Sequence, residues 1–259
     1  EEAYGEIIAY TDDEVMVDPL WVDALVKVFQ EDPGVLAVTG LVAPYEQETH
    51  AQILFERYGG FGRGFKRQWY KVDDMCRKGR PPHLGAGKFG TGANMAYRCS
   101  LFEQIDGFDP ALDVGTLTNG GGDLEMFFRV LEEGYTLVYE PAALVWHRHR
   151  KSFEELRLQL MNNGIGLYSY FVRSALAYPR HRWSIFRFGS WWFWHWDIRR
   201  LLKSFIVTQR VPRELILAEF RGSLIGLTRY PKAKSRAEEI SRDYMEVQNT
   251  RVINDLQPY

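Results

Sequence analysis

The sequence predicts an α/β fold over residues 1–150 followed by a helical extension over 151–259. Three observations carry that expectation. A short apolar run ends in carboxylates and is followed by a helical repeat and a second apolar run. Apolar runs and helical patterns then alternate as far as Trp146. Beyond residue 150 only helical spacing remains.

Taken in order, Glu6-Ile-Ile-Ala-Tyr10 has the look of a buried parallel strand, and it ends at Thr11-Asp12-Asp13-Glu14. Asp18 supplies an N-cap and Pro19 the first helical position of a helix in which Leu20, Trp21, Ala24, Leu25 and Val28 recur, up to Asp32-Pro33-Gly34. Val35 to Val42 is the next strand. The opening is thus a β-α-β unit, and sheets of such units place ligands at the carboxyl ends of their strands. Residues 46–71 read as helix interrupted by Gly59-Gly60-Phe61-Gly62-Arg63-Gly64, and residues 73–92, rich in Gly, Pro and basic side chains, as an active-site loop. Asn94 to Arg98 is a strand, Ser100 to Ile105 a short helix, Gly107-Phe108-Asp109-Pro110 a turn, and Asp113 to Gly122 a loop. Asp123 opens a helix closed by Gly134. Strands Thr136–Tyr139 and Ala143–Trp146 lead into His147-Arg148-His149-Arg150. Helices follow over Ser152 to Ala177, around Ile198–Val207, over Pro212–Leu227 and over Ser235–Asn249.

Composition bounds the function. A chain of 259 residues with 46% hydrophobic side chains buries a core, which excludes disorder. Two cysteines, Cys76 and Cys99, give no disulfide framework or zinc knuckle and fit a reducing compartment. The longest stretch free of Asp, Glu, Lys and Arg, Leu158 to Val172, contains Gln159, Asn162 and Asn163 and falls short of the roughly 20 apolar residues of a spanning helix. The net charge of −2 hides a division: residues 1–146 carry 12 Lys/Arg against 24 Asp/Glu, and residues 147–213 carry 13 against 3. Five of the eight tryptophans lie in Trp183–Trp196, beside Arg180, Arg182, Arg187, Arg199, Arg200 and Lys203. Rings interleaved with cations suit an anionic membrane surface, or else a helical pair packing its rings on the preceding domain. The acidic first half argues against nucleic acid as a partner.

Two acidic sites bear on chemistry. Asp12, Asp13 and Glu14 at a strand end offer hard oxygen ligands for Mg²⁺ or Mn²⁺, ions that arrive with phosphate groups; a solvated acidic turn is the alternative. Asp123, after Gly120-Gly121-Gly122, is either a helix cap or a base. Between them, Gly85-Ala-Gly87-Lys-Phe-Gly90-Thr-Gly92-Ala-Asn94 forms a loop that lets backbone groups approach a ligand.

In this order the motifs resemble the inverting glycosyltransferases of family 2, which have the GT-A type of fold, over roughly residues 5–175. Glu6-Ile-Ile-Ala-Tyr-Thr-Asp-Asp-Glu-Val looks like that family's strand and metal-binding acidic motif. Gly92-Ala-Asn94-Met-Ala-Tyr-Arg98 is similar to the segment before the acceptor side of the cleft, and Gly107-Phe-Asp-Pro110 to the turn that follows it. Gly121-Gly-Asp-Leu-Glu-Met-Phe-Phe-Arg129 aligns with the motif of the catalytic base, with Gly122 where many members have Glu.

The resemblance implies a mixed sheet with flanking helices and Asp123 as base. It implies Mg²⁺ or Mn²⁺ on Asp13 and Glu14, with His147 completing the shell or touching the diphosphate. Asp12, Gly92, Asn94, Arg148 and His149 fall on the donor side. A nucleotide-sugar donor, a glycan or lipid-linked acceptor of the cell envelope, and a place at the cytoplasmic face of a membrane follow in the same way. In the family, β-α units that grip the base and ribose would precede Glu1. The chain is therefore expected to be the carboxyl-terminal part of an enzyme and to bind donor poorly alone; a non-catalytic glycan- or lipid-binding remnant is the alternative.

Overall fold

The computed structural model describes residues 4–72, 85–206 and 211–255, with side chains through 246. Among these, six strands form one mixed sheet: β1 (Ile7–Thr11), β2 (Val15–Val17), β3 (Val35–Pro44), β4 (Gln68–Tyr70), β5 (Asn94–Arg98) and β6 (Thr136–His147). Their order is β1-β5-β3-β6-β2, with β4 also on β6. β5 runs against both β1 and β3, while β3 and β6 are parallel. So β1, β3 and β6 all end at one edge of the sheet, and β5 starts there. That edge is where an α/β sheet offers its crevice.

Several expectations are refined. β1 is a half-exposed edge strand antiparallel to β5, because the reversed β5 is inserted between the two parallel strands of the opening unit. Helix α1 (Trp21–Glu31) begins beyond Pro19: the Asp18 carboxylate accepts the Leu20 N–H in an Asx turn instead of capping a helix at residue 19. Helix α2 (His50–Tyr58) opens with a capping box between Thr49 and Gln52 and stops at Gly59, and the chain then supplies β4 where more helix was expected. The two strands expected over residues 136–146 are one. Between them Gly40 pairs with Glu140 and Leu41 with Leu144, a bulge that accommodates Pro141, which has no N–H to give a ladder.

Short α3 (Leu101–Gln104) and α4 (Gly122–Glu132) flank the sheet, followed by α5 (Phe153–Ala177), α6 (Arg182–Trp192), a π-helical turn over Phe193–Ile198, and α7 (Arg199–Ile206). The last two expected helices are a single α8 (Arg213–Asp255), continuous through Pro231. The extension shares its core with the sheet: Tyr170, Phe171 and Ile185 pack in one cluster with Tyr97, Phe127 and Leu137. α5 and α8 meet backbone to backbone, since a Cβ on Gly222 would stand 2.0 Å from the Met161 carbonyl oxygen. Cys99 is a free cysteine, and Cys76 lies outside the described residues.

A largely buried carboxylate joins the extension to α2. Glu219 of α8 accepts from the Tyr58 hydroxyl and, at 3.1 and 3.2 Å, from the Trp196 indole, with Arg200 at 3.6 Å. Beside it Asp197 accepts from Tyr168 at 2.9 Å and Ser223 at 2.8 Å. Burial, only partly offset by these donors, pushes Glu219 up to about 7. A carboxyl raised above its unfolded value of 4.5 gives stability that is complete below 4.5 and lost as pH rises through about 7. The urea midpoint is therefore expected to fall across that window, and Glu219→Gln to flatten the slope. An unchanged slope in the variant would remove Glu219 as its cause.

Candidate active site

Pairing brings the two acidic sites together. Thr11 is opposite Asn94, and its hydroxyl donates to the Ala93 carbonyl at 3.1 Å, so the turn carrying Asp12 lies against the start of β5. From the other side the Gly92 N–H donates to Asp123 Oδ2 at 2.9 Å, and the Leu124 N–H to Oδ1 at 2.8 Å. Asp123 is in the first turn of α4, where the helix dipole favours a carboxylate. Gly121, at φ +100°, caps that helix. A Cβ there would stand 2.6 Å from the Gly166 carbonyl oxygen, so only glycine lets this loop seat on α5.

Burial raises the Asp123 carboxyl above the ordinary aspartate range. The N–H groups of Leu124 and Gly92 oppose the rise, and the charge of Asp12 adds to it. Asp12 and Asp123 are thus electrostatic neighbours. A carboxylate held this way is a better proton acceptor than a solvated one.

His147 stands at the end of β6, buried, with Nε2 3.5 Å from Asp12 Oδ2. The expected Asp13, Glu14 and His147 set is not assembled. Glu14 is held at 2.6 Å by Arg150, because Val15 pairs with His147 and the Arg148 N–H bonds the Glu14 carbonyl, which sets the two side chains together. Asp13 is exposed. Among the described residues no three His, Cys, Asp or Glu side chains are grouped to hold an ion. Asp12 and His147 make a pair, and Mg²⁺ is usually held by one or two carboxylates and completed by substrate phosphates and water, a part that Asp12 can fill with the His147 imidazole beside it. The donor set fits such a cation in that corrected form.

Two donor-side expectations are also corrected. Asn94 is fully buried: its Nδ2 donates to the carbonyls of Leu41 (3.0 Å) and Ala143 (2.8 Å), and its Oδ1 accepts from the Trp21 indole (2.9 Å). Its amide is engaged within the core. His149 is buried against Phe55 and Phe61 with Nε2 2.8 Å from Glu56, and its ring stacks on His147, which it supports from behind. Arg148 is exposed, its guanidinium 4.7 Å from the centre of the Tyr45 ring just past β3. Gly92 stays beside Asp123.

Sequence reasoning missed three arginines. Arg63 donates to the carbonyls of Gly87 (2.5 Å), Gly60 (3.2 Å) and Gly62 (3.0 Å), knitting two glycine-rich loops, and it feels the charge of Asp123. An arginine amid four glycines, Gly59, Gly60, Gly62 and Gly64, was the available signal. Arg129 bonds the carbonyls of Asp106 and Gly107 and the carboxylate of Glu125, and Arg173 pairs with Glu125 at 2.7 Å and Asp109 at 3.4 Å. Together they clamp the turn at Gly107 to Pro110, and only the four-residue spacing of Glu125 and Arg129 hinted at it. Residues 73–84 of the expected loop lie outside the described residues.

No protein-family model matches the chain. It is 26% identical over 155 residues to polypeptide N-acetylgalactosaminyltransferase 5 of Caenorhabditis elegans, an alignment covering 58% of this chain and 24% of that protein. Over 163 residues it is 23% identical to the glucosyl-dolichyl phosphate glucuronosyltransferase of Haloferax volcanii, covering 59% and 47%. The chain is similar to glycosyltransferases. It spans between about a quarter and a half of the length of these relatives. Among solved structures, the mannosyltransferase PcManGT from Pyrobaculum calidifontis, in complex with GDP-Man and Mn²⁺, aligns with 98% of this chain and 57% of its own at 13% identity and a TM-score of 0.37.

Proposed function

We propose that this chain is part of an inverting, metal-dependent glycosyltransferase of family 2, with a GT-A type of fold, moving a sugar from a nucleotide-sugar donor to a hydroxyl of a glycan or lipid-linked acceptor. The observation that carries the reading is the placement of Asp123, held by the Gly92 N–H and sharing its field with Asp12, at the edge where β1 and β6 end. The similarity to glycosyltransferases supports it independently.

Asp123 takes the proton of the acceptor hydroxyl as that oxygen bonds to the anomeric carbon from the face opposite the leaving group. The bond from the anomeric carbon to the diphosphate oxygen breaks, and its electron pair leaves with the nucleoside diphosphate. Asp12 and His147 would hold Mg²⁺ or Mn²⁺, which when bound would neutralise charge on that diphosphate. Arg148, exposed next to His147, offers a further positive charge to it.

A screen of nucleotide sugars, reading released nucleoside diphosphate with and without Mn²⁺, tests the assignment. Asp12→Ala and His147→Ala are each expected to lower cation-dependent release by about 10–100-fold or more. Release indifferent to divalent cations, or full activity in His147→Ala, would reject the cation site. Absence of donor turnover and donor binding in every context would favour a glycan- or lipid-binding remnant.

A further inference from the structure

The helices after α5 carry a surface that the transfer site does not use. Trp183, Phe186, Trp191 and Trp194 are each more than half exposed, and Leu202, Phe205 and Ile206 continue the apolar exposure along α7. Trp183 lies in the first turn of α6 and Trp194 in the π-helical turn that follows it. Between Tyr178 and Ile206 six Arg and Lys residues stand against one carboxylate, Asp197, and that one is buried beneath the Tyr168 and Ser223 hydroxyls. Arg182, Arg187, Arg199 and Lys203 reach solvent. Contiguous rings of this extent, left in water, mark an interaction surface.

A cavity of about 320 Å³ opens beside the patch, between α5, α6 and α8, walled by Phe171, Val172, Ile185, Gly189 and Leu224. Phe186 and Leu227 also line it and are 61% and 48% exposed, so the cavity runs out onto the patch. Its polar lining is confined to Arg182, Ser190 and Tyr168, whose hydroxyl is already bonded to Asp197.

Charge and polarity select the occupant. A second copy across a two-fold axis would set the cations against themselves. A nucleic acid would answer the charge but leave an apolar cavity that neither phosphates nor base edges can fill. An anionic bilayer answers both features: headgroup phosphates meet the arginines, indoles settle at the interface, and a hydrocarbon chain leaves the water. Among the described residues no helix is long and apolar enough to cross a membrane, so the surface lies on the bilayer. We propose that the exposed face of α6, the π-helical turn and α7 is a docking surface for an anionic phospholipid bilayer, and that the adjoining cavity takes one acyl chain. The surface is separate from Asp123, and its failure would leave the transfer reading standing.

Flotation of the intact chain with phosphatidylcholine vesicles, with and without phosphatidylglycerol, reads the first half. Binding is expected only with the anionic lipid, and the double change Trp183→Ser with Trp194→Ser, or Arg187→Gln with Lys203→Gln, should weaken it about tenfold. All four residues are exposed, so these variants keep the fold. For the chain site, Gly189→Leu fills the cavity, since a Cβ there meets only the Phe171 ring at 3.6 Å. It should abolish binding of monomeric dihexanoylphosphatidylglycerol seen by NMR in the parent chain. Equal flotation with neutral vesicles, unchanged partition in the variants, or binding of single-stranded DNA in place of vesicles would overturn the proposal. So would a dimer that the tryptophan changes dissociate.

Discussion

Asp123→Asn is expected to lower the transfer rate by about 10²–10⁴-fold, the range contributed by a positioned general base, while leaving donor affinity nearly unchanged. The amide is the same size and its oxygen can still accept the Gly92 N–H that now bonds Oδ2. The capacity to take a proton is lost, together with the bond from the Leu124 N–H, since the amide has a single acceptor oxygen. Single-turnover rates with equilibrium donor binding separate the two quantities, and a loss of donor binding with transfer intact at saturation would reassign Asp123 to the donor. The same residue sets a pH dependence. Because burial raises its carboxyl, the protonated, inactive form persists to higher pH than for a solvated aspartate. The acid limb of kcat/KM is accordingly expected above the ordinary value of 3.8, and Asp123→Asn should erase it.

Asn94→Leu is expected to destabilise the fold by about 3 kcal/mol or more, because the Leu41 and Ala143 carbonyls and the Trp21 indole each lose a buried partner. The geometry leaves no room for a substitute. A Cβ on Gly40 would stand 2.3 Å from Asn94 Nδ2 and 2.1 Å from the Ala143 oxygen, so the amide sits directly on the β3–β6 bulge with α1 closing over it. Trp21→Phe, which removes one of the three bonds, should cost about 1 kcal/mol. Urea titrations of the two variants would show that ranking. Equal stability of Asn94→Leu and the parent chain would mean that the bulge does not depend on the amide, and Asn94 would return to consideration as a ligand contact.

The contrast between Asn94 and Asp123 shows what the sequence can express. Strand β5 was legible to the residue, and the helix that Asp123 enters, expected over Leu124 to Glu133 and found over Gly122–Glu132, to within two residues, because alternation and capping are local signals. Pairing between distant strands is not local. That Asn94 sits between two backbone carbonyls depends on the bulge at Pro141 and on Trp21, neither of which any spacing rule connects to residue 94. The acidic triplet fails for a similar reason: three successive carboxylates look interchangeable on paper, yet β2 turns Glu14 to Arg150 and leaves Asp12 with His147. The histidine pair was equally opaque, since His147 and His149 differ only in what stands behind them, and Glu56 comes from a helix almost a hundred residues earlier. Local spacing predicts two helices over Pro212–Leu227 and Ser235–Asn249, whereas packing along α5 accompanies one helix that runs through Pro231.

Diffraction at the manganese absorption edge, from crystals grown with Mn²⁺ and a nucleoside diphosphate, tests the convergence of the two acidic sites most directly. One anomalous peak is expected about 2 Å from both the Asp12 carboxylate and the His147 imidazole, with the diphosphate beside it and the Asp123 carboxylate open to the same cleft. Manganese on Asp13 or Glu14 with His147 unliganded, or a nucleotide seated away from Gly92 and Asp123, would contradict it.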